Sequence, residues 1–246
     1  MPDPVLPVPV LPAPVLPVVV IRPQPGCAAT LAAARALGLV AHGYPLFEVR
    51  PLGWDAPDPA SFDALLVGSA NALRYGGPAL AQYRGKPAYA VGETSAGEAR
   101  AAGLAVAGIG EGGLQALLGS LRPGHRRLLR LAGRERVALE PPPGVAIAER
   151  ITYASEPLAM PDELTALLAG GALVLLHSAE AARHFAGQCD AKAIGRSKIA
   201  IAALAPRIAE AAGFGWAAIA SAPRPRDHAL LALAQAMCQN GDGPDA

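Results

Sequence analysis

Aromatic side chains are scarce in this sequence: Phe, Trp and Tyr make up 4% of its 246 residues, against 52% hydrophobic residues overall. A core must therefore be packed from Ala, Val and Leu, which suits alanine-rich helices on short aliphatic strands and indicates an α/β class. Cysteine is nearly missing too. Cys27, Cys189 and Cys238 are odd in number, widely spaced and outside any CxxC pair, which argues against a disulfide framework or a thiolate zinc site and fits reduced thiols in a cytoplasmic protein. The five histidines show no HxxxH or HExxH spacing, so no metal is expected. Neither sign of charge dominates, with 21 basic and 20 acidic residues, so the electrostatic footprint of a duplex nucleic-acid binder is missing. No apolar run reaches the roughly 18 residues of a membrane-spanning helix. GxGxxG and GxxxxGK(S/T) are both lacking, which speaks against dinucleotide and nucleoside-triphosphate sites.

Proline, by contrast, is concentrated at one end. Residues 1–17 read MPDPVLPVPVLPAPVLP, with PVLP recurring three times. Such density excludes helix and central-strand pairing, and predicts a disordered, polyproline-like tail. It carries no basic n-region, and its prolines break any apolar stretch of a signal peptide. A flexible C-terminus is expected over 241–246.

The remainder carries an internal repeat with an offset of about 110 residues. VVVIRP, ending at Pro23, matches LLRLAG, ending at Gly133; FDALLVGSANALRY (62–75) matches ALVLLHSAEAARHF (172–185). AYAVGETSAGEARAAGL (88–104) matches AIAALAPRIAEAAGF (200–214), and Tyr44 falls opposite Tyr153. Each segment has the grammar of strand, small-residue turn, helix. Val18–Ile21, Ala64–Val67, Ala88–Val91, Leu128–Leu131, Ala172–Leu176 and Ile199–Ala203 are apolar runs suited to buried parallel strands. Alanine-rich helical stretches follow at Cys27–Leu37, Ala70–Tyr75, Ser95–Ala102, Ala179–Phe185 and Pro206–Ala212, three of them closed by Gly38, Gly103 and Gly213. The pattern predicts two doubly wound parallel sheets.

Ligands of such sheets bind beyond the carboxyl ends of the strands. Those ends carry Arg22-Pro23, Gly68-Ser69-Ala70-Asn71, Gly92-Glu93-Thr94-Ser95, Gly133-Arg134 and His177-Ser178-Ala179. Small and hydroxyl residues there let backbone N–H groups approach a ligand, and helix N-termini favour anions. A large polyanion suits two such edges. Each serine or threonine taken singly is more simply a helix cap.

In their order and spacing these residues resemble the uroporphyrinogen-III synthase family from about Val18 to about Met237. The family's Arg-Pro, Leu-Gly and Pro-Leu signals are matched by Arg22-Pro23, Leu37-Gly38 and Pro45-Leu46. Its Thr-Ser-Ala-Asn-Ala is similar to Gly68-Ser69-Ala70-Asn71-Ala72, and its Val-Gly-x-x-Thr-Ala to Val91-Gly92-Glu93-Thr94-Ser95-Ala96. Its second-half Ile-Gly-Pro-Thr-Thr-Ala stands here as Ile201-Ala202-Ala203-Leu204-Ala205-Pro206, a glycine and two hydroxyls fewer.

The resemblance implies two repeat-related domains, 18–46 plus 154–240 and an inserted 47–153, joined by extended crossovers near Phe47–Pro51 and Ile151–Pro157. It implies cyclisation of hydroxymethylbilane, a linear octacarboxylate tetrapyrrole, with loss of water and inversion of the last ring. No cofactor is implied, and a cytoplasmic monomer with only a small-molecule partner is expected. Tyr153 is the implied acid. Arg22 and Arg134 are carboxylate candidates, with Ser69, Ala70, Asn71, Gly92, Glu93, Thr94, Ser95, Gly133, Ser178 and Pro23 offering backbone or hydroxyl contacts. His177 is a substrate-contact and proton-donor candidate particular to this chain, although a lone histidine at a strand end is more often structural. The alternatives are a two-domain anion-binding protein and a non-catalytic relative.

Overall fold

The computed structural model of the chain describes residues 16–239; the first fifteen residues of the tail expected over 1–17 and the flexible end expected over 241–246 lie outside them. In chain order the elements begin with β1 (Val18–Val20), α1 (Gly26–Ala36), β2 (Ala41–Gly43), β3 (Phe47–Pro51), β4 (Ala64–Val67) and α2 (Asn71–Arg74). Next come β5 (Pro87–Val91), α3 (Gly92–Ala101), β6 (Ala105–Gly110), α4 (Leu114–Leu118), β7 (Arg127–Gly133) and β8 (Ala146–Pro157). The chain then runs through α5 (Asp162–Ala169), β9 (Ala172–Leu176), α6 (Ala179–Ala191), β10 (Ile199–Ala203), α7 (Pro206–Ala212), β11 (Ala218–Ser221) and α8 (Asp227–Gln239). The chain is mixed α/β with parallel-dominated sheets.

Two compact units result, one comprising the chain up to Glu48 and from Pro157 onward, the other Val49–Glu156. The first holds a five-stranded sheet in the order β11-β10-β9-β1-β2, parallel throughout. Its strands are apolar on both faces because both faces are covered. Val19 and Ile21 pack with Leu176, Ile199 and Ile201. Val18 and Val20 turn the other way, toward Leu173, Leu175 and Leu230 of α8. Each such side chain, fully buried, stabilises by about 1.5–3 kcal/mol. Trp216 stacks on Phe185 with ring centroids 5.5 Å apart, under the Arg196 guanidinium at 4.7 Å.

The other sheet runs β3-β8-β7-β4-β5-β6, and its β8-to-β6 portion is parallel. Leu65, Val67, Leu129 and Leu131 face one apolar cluster; Ala64, Leu66, Tyr89 and Leu128 face the other. Trp54 stacks on Tyr83 with centroids 6.1 Å apart, and its indole N–H donates to the Gly76 carbonyl at 2.8 Å. Taken by the sequence matches, β7 corresponds to β1, β4 to β9 and β5 to β10. The order β8-β7-β4-β5-β6 then parallels β2-β1-β9-β10-β11.

One detail differs from the sequence reading. Leu16 and Pro17, counted with the proline tail, pack onto the first sheet. The Pro17 carbonyl accepts from Leu173 N at 2.9 Å, and Leu16 joins the α8-side cluster. The stretches expected as extended crossovers are strands: Phe47–Pro51 is β3, and Ile151–Pro157 completes the twelve-residue β8. Of β8 only Thr152 and Ala154 are buried, and beyond Ala148 its Glu149, Arg150 and Glu156 break any apolar pattern.

The start of β4 is fixed by Asp63. Its carboxylate accepts from Arg126 N at 3.0 Å, Arg127 N at 2.8 Å and the Arg127 guanidinium at 2.9 Å, and Asp63 N donates to Arg127 O at 2.7 Å. Hydrogen bonds from the Arg127 side chain and the two amides hold this carboxyl well below the usual range. Asp63→Ala is expected to cost about 1–3 kcal/mol at neutral pH, read as a lower urea midpoint. A folded-state pKa below the unfolded value means this stability is present above about pH 4 and fades as pH falls further. The gap between variant and parent therefore narrows in acid.

Candidate active site

Within the second unit, the carboxyl ends of β4 and β7 frame a cavity of about 170 Å³. Gly68, Ser69, Leu114, Arg130, Leu131, Ala132, Gly133, Glu135, Arg136 and Tyr153 line it. Three of the residues expected from sequence, Ser69, Gly133 and Tyr153, meet here. Gly133 and Tyr153 are register partners on β7 and β8, just past a bulge at Ala132/Gly133. A Cβ on Gly133 would come within 2.6 Å of the tyrosine ring and 2.9 Å of its hydroxyl oxygen. The ring can lie against the β7 backbone only because residue 133 has no side chain. Tyr75 flanks it, ring centroids 6.4 Å apart. Ser69 accepts from Asn71 N at 3.3 Å, so its hydroxyl braces the turn into α2 as well as facing the cavity.

The cavity also contains cations that the sequence reading passed over. Arg130 is 5% exposed, and its Nη1 donates to Glu149 Oε1 at 2.6 Å. Arg136 Nε donates to Glu149 Oε2 at 2.9 Å. Burial pushes the Glu149 carboxyl up, but the two arginines' hydrogen bonds and charges outweigh that and hold it below its ordinary value. Arg130 Nε is buried and has no hydrogen-bond partner. Arg134, the arginine singled out from sequence, does not line the cavity. Its guanidinium is half-exposed and paired with Glu156 at 2.8 Å.

Other expected residues lie elsewhere in this unit. Ala70 and Asn71 begin α2 without lining the cavity. Gly92 opens α3 at a φ of 74°, Glu93 and Thr94 are exposed there, and Ser95 is buried. Glu93 reaches Arg100 at 3.5 Å. No side chain caps α3, so Thr94 and Ser95 are not its caps.

In the first unit, Arg22 and His177 come together over Asp227. Arg22 Nη1 donates to Asp227 Oδ2 at 2.7 Å and to Thr30 Oγ1 at 3.3 Å. This arginine is an ion-pair partner at a strand end, with its side chain 29% exposed. The His177 side chain is 8% exposed; Nε2 lies 3.7 Å from Asp227 Oδ1, and neither ring nitrogen has a hydrogen-bond partner. Burial, then the Arg22 charge, lower its pKa to about 4 against a smaller upward pull from Asp227. A neutral imidazole this reluctant to take a proton is a poor acid at pH 7. Ser178 caps α6, accepting from Ala181 N at 3.1 Å. The Pro23 carbonyl accepts from Cys27 N at 3.1 Å. Across the altered stretch, Pro206 occupies the first turn of α7 and Ala205 offers no side-chain cap. Among the described residues, no group of three or more His, Cys, Asp or Glu could hold a metal ion.

The family model described as "Uroporphyrinogen-III synthase HemD" matches residues 28–232. Among solved structures, the uroporphyrinogen-III synthetase of Helicobacter pylori is similar with a TM-score of 0.62 at 17% identity, covering 90% of this chain and 99% of that one. A mutant uroporphyrinogen III synthase of Thermus thermophilus aligns over 91% of this chain and 99% of its own at 18% identity, with a TM-score of 0.49. The first of these supports the fold. No curated protein matches the sequence.

The buried imidazole makes stability depend on pH. Its folded-state pKa lies below the unfolded value of about 6.5, so the unfolded chain takes up a proton first as pH falls. The stabilising contribution is full above pH 6.5 and is lost toward pH 4. The loss is on the order of 3 kcal/mol. Urea unfolding at pH 7 and pH 4.5 is expected to show it, and His177→Gln to flatten that slope.

Proposed function

From membership of the uroporphyrinogen-III synthase family, to which this chain belongs, we infer that it cyclises hydroxymethylbilane to uroporphyrinogen III through the Tyr153 cavity of the second unit. The observation that carries the placement is the meeting of Tyr153, Ser69 and Gly133 at one strand edge. The substrate loses its terminal hydroxyl as water, leaving a conjugated cation. The freed carbon bonds to the substituted α-position of the last pyrrole, and the resulting spiro centre fragments and re-closes with that ring inverted. The Tyr153 phenol donates a hydrogen bond to the departing hydroxyl, a general-acid role within reach of a neutral side chain. Ser69 and the backbone around Gly68 and Gly133 hold the substrate in its folded geometry, which is where the selectivity over spontaneous closure originates.

The wider organisation proposed is a pair of repeat-related, doubly wound domains joined through the β3 and β8 segments. The shared strand order of the two sheets supports it. A cytoplasmic monomer acting on a small molecule, without nucleic-acid or membrane partners, accords with free Cys27, Cys189 and Cys238. No described helix is long and apolar enough to cross a membrane.

The test is a coupled assay in which hydroxymethylbilane is generated in situ and the product isomers are separated. Parent protein is expected to yield mostly the type III ring, whereas background closure yields type I. Tyr153→Phe should lower the type III rate about tenfold or more. Gly133→Ala should do the same by displacing the ring, while Ser69→Ala costs less. Only type I product from folded parent protein would refute the catalytic reading.

A further inference from the structure

Past its exposed first residue, Arg127, β7 is buried on both faces and apolar at every position but one. Leu128, Leu129 and Leu131 are each 1% exposed or less. Arg130 stands among them, as deeply enclosed as its neighbours. By the internal repeat its counterpart in β1 is Val20, a fully buried aliphatic residue. A valine-sized hydrophobe is therefore what this strand position accepts elsewhere in the same chain. Desolvating a guanidinium costs several kcal/mol unless its donors find acceptors.

Those donors are not all matched. Guanidinium offers five N–H groups, and Arg130 Nη1 donates to Glu149. Nε has no partner, and the side chain, 6% exposed, lines the Tyr153 cavity. Glu149 cannot compensate Arg130 in full, because its second oxygen is held by Arg136 at 2.9 Å. One carboxylate thus serves two guanidinium groups, leaving a local excess of positive charge at the inner wall. Glu135, the remaining carboxylate of the lining, and Arg136 are both exposed, where water screens them, so Arg130 is the buried charge of the wall.

We propose that Arg130, braced by Glu149 and Arg136, is a subsite for one carboxylate arm of the substrate. The inference rests on the functional reading above. Guanidinium donates and cannot accept, so pyrrole N–H groups are excluded as its partners. On the linear tetrapyrrole that leaves the carboxylates and the terminal hydroxyl, and a buried cation discriminates strongly for the anion. Arg130 and Tyr153 line one cavity, so an arm anchored on Arg130 sets where the reacting end of the chain rests.

Arg130→Met tests this, because it keeps length and apolar volume while Glu149 retains Arg136. Removing one partner of a buried pair destabilises by stranding the other charge, and here Glu149, a third exposed, keeps its bond to Arg136. With hydroxymethylbilane, R130M is expected to raise KM about ten- to hundredfold, the worth of a charge-assisted bond, with kcat changed much less. Arg130→Lys, which keeps the charge but loses the fork, should fall between, and it carries the comparison should R130M not fold. Parent KM in folded R130M would overturn the subsite. If the parent protein makes no type III product, the catalytic reading fails separately. Anaerobic calorimetric titration with uroporphyrinogen III then decides the subsite: weaker binding by R130M supports it, and equal binding refutes it.

Discussion

Parallel strands covered on both faces set the terms for everything else in this molecule. Such a strand has no solvent side, so its residues must be apolar along nearly their whole length. Val18–Ile21, Ala64–Val67 and Ile199–Ala203 obey this without exception. Polar chemistry is then confined to the places where the strands stop. Ser69, Gly133 and His177 stand at such ends, as do the first turns of α2, α3 and α6. The one strand interior that breaks the rule, at Arg130, breaks it beside the cavity.

The same constraint decided what could be read from the sequence. Short uninterrupted apolar runs closed by a small-residue turn and an alanine-rich stretch made the central strands and the helices following them stand out. Gly38, Gly103 and Gly213, all at positive φ, marked helix ends for the same steric reason that the structure requires. Edge and half-covered strands were harder. β2, β3 and β8 carry His42, Glu48, Arg50, Glu149 and Arg150, and a strand with one wet side shows no continuous run.

The site was legible in proportion to how local its signals are. Ser69, Gly133 and Tyr153 were visible as residues at strand ends and at the repeat's tyrosine. Arg130 was hidden inside LLRLAG, where an arginine among leucines looks like an interruption in a core strand. Its meaning depends on Glu149 and Arg136, which the fold supplies. The pairing of Arg22 and His177 with one carboxylate was hidden for a related reason. Their partner Asp227 lies at the far end of the chain, 205 residues from Arg22, and no spacing rule connects them. The signal that was available for Arg130 is its opposition to Val20 in the repeat, a charge where the other copy has a hydrophobe.

The scarcity of aromatic residues has a practical side. The chain contains two tryptophans, and the fold allots one to each unit. Trp216 lies between Phe185 and a guanidinium, while Trp54 stacks on Tyr83 with its indole nitrogen tied to a carbonyl. Each indole thus has its own quenching environment and belongs to one sheet. Replacing either with phenylalanine leaves a single tryptophan, so its emission, excited at wavelengths that the five tyrosines do not absorb, reports melting or ligand-induced tightening of one half of the chain without any attached dye.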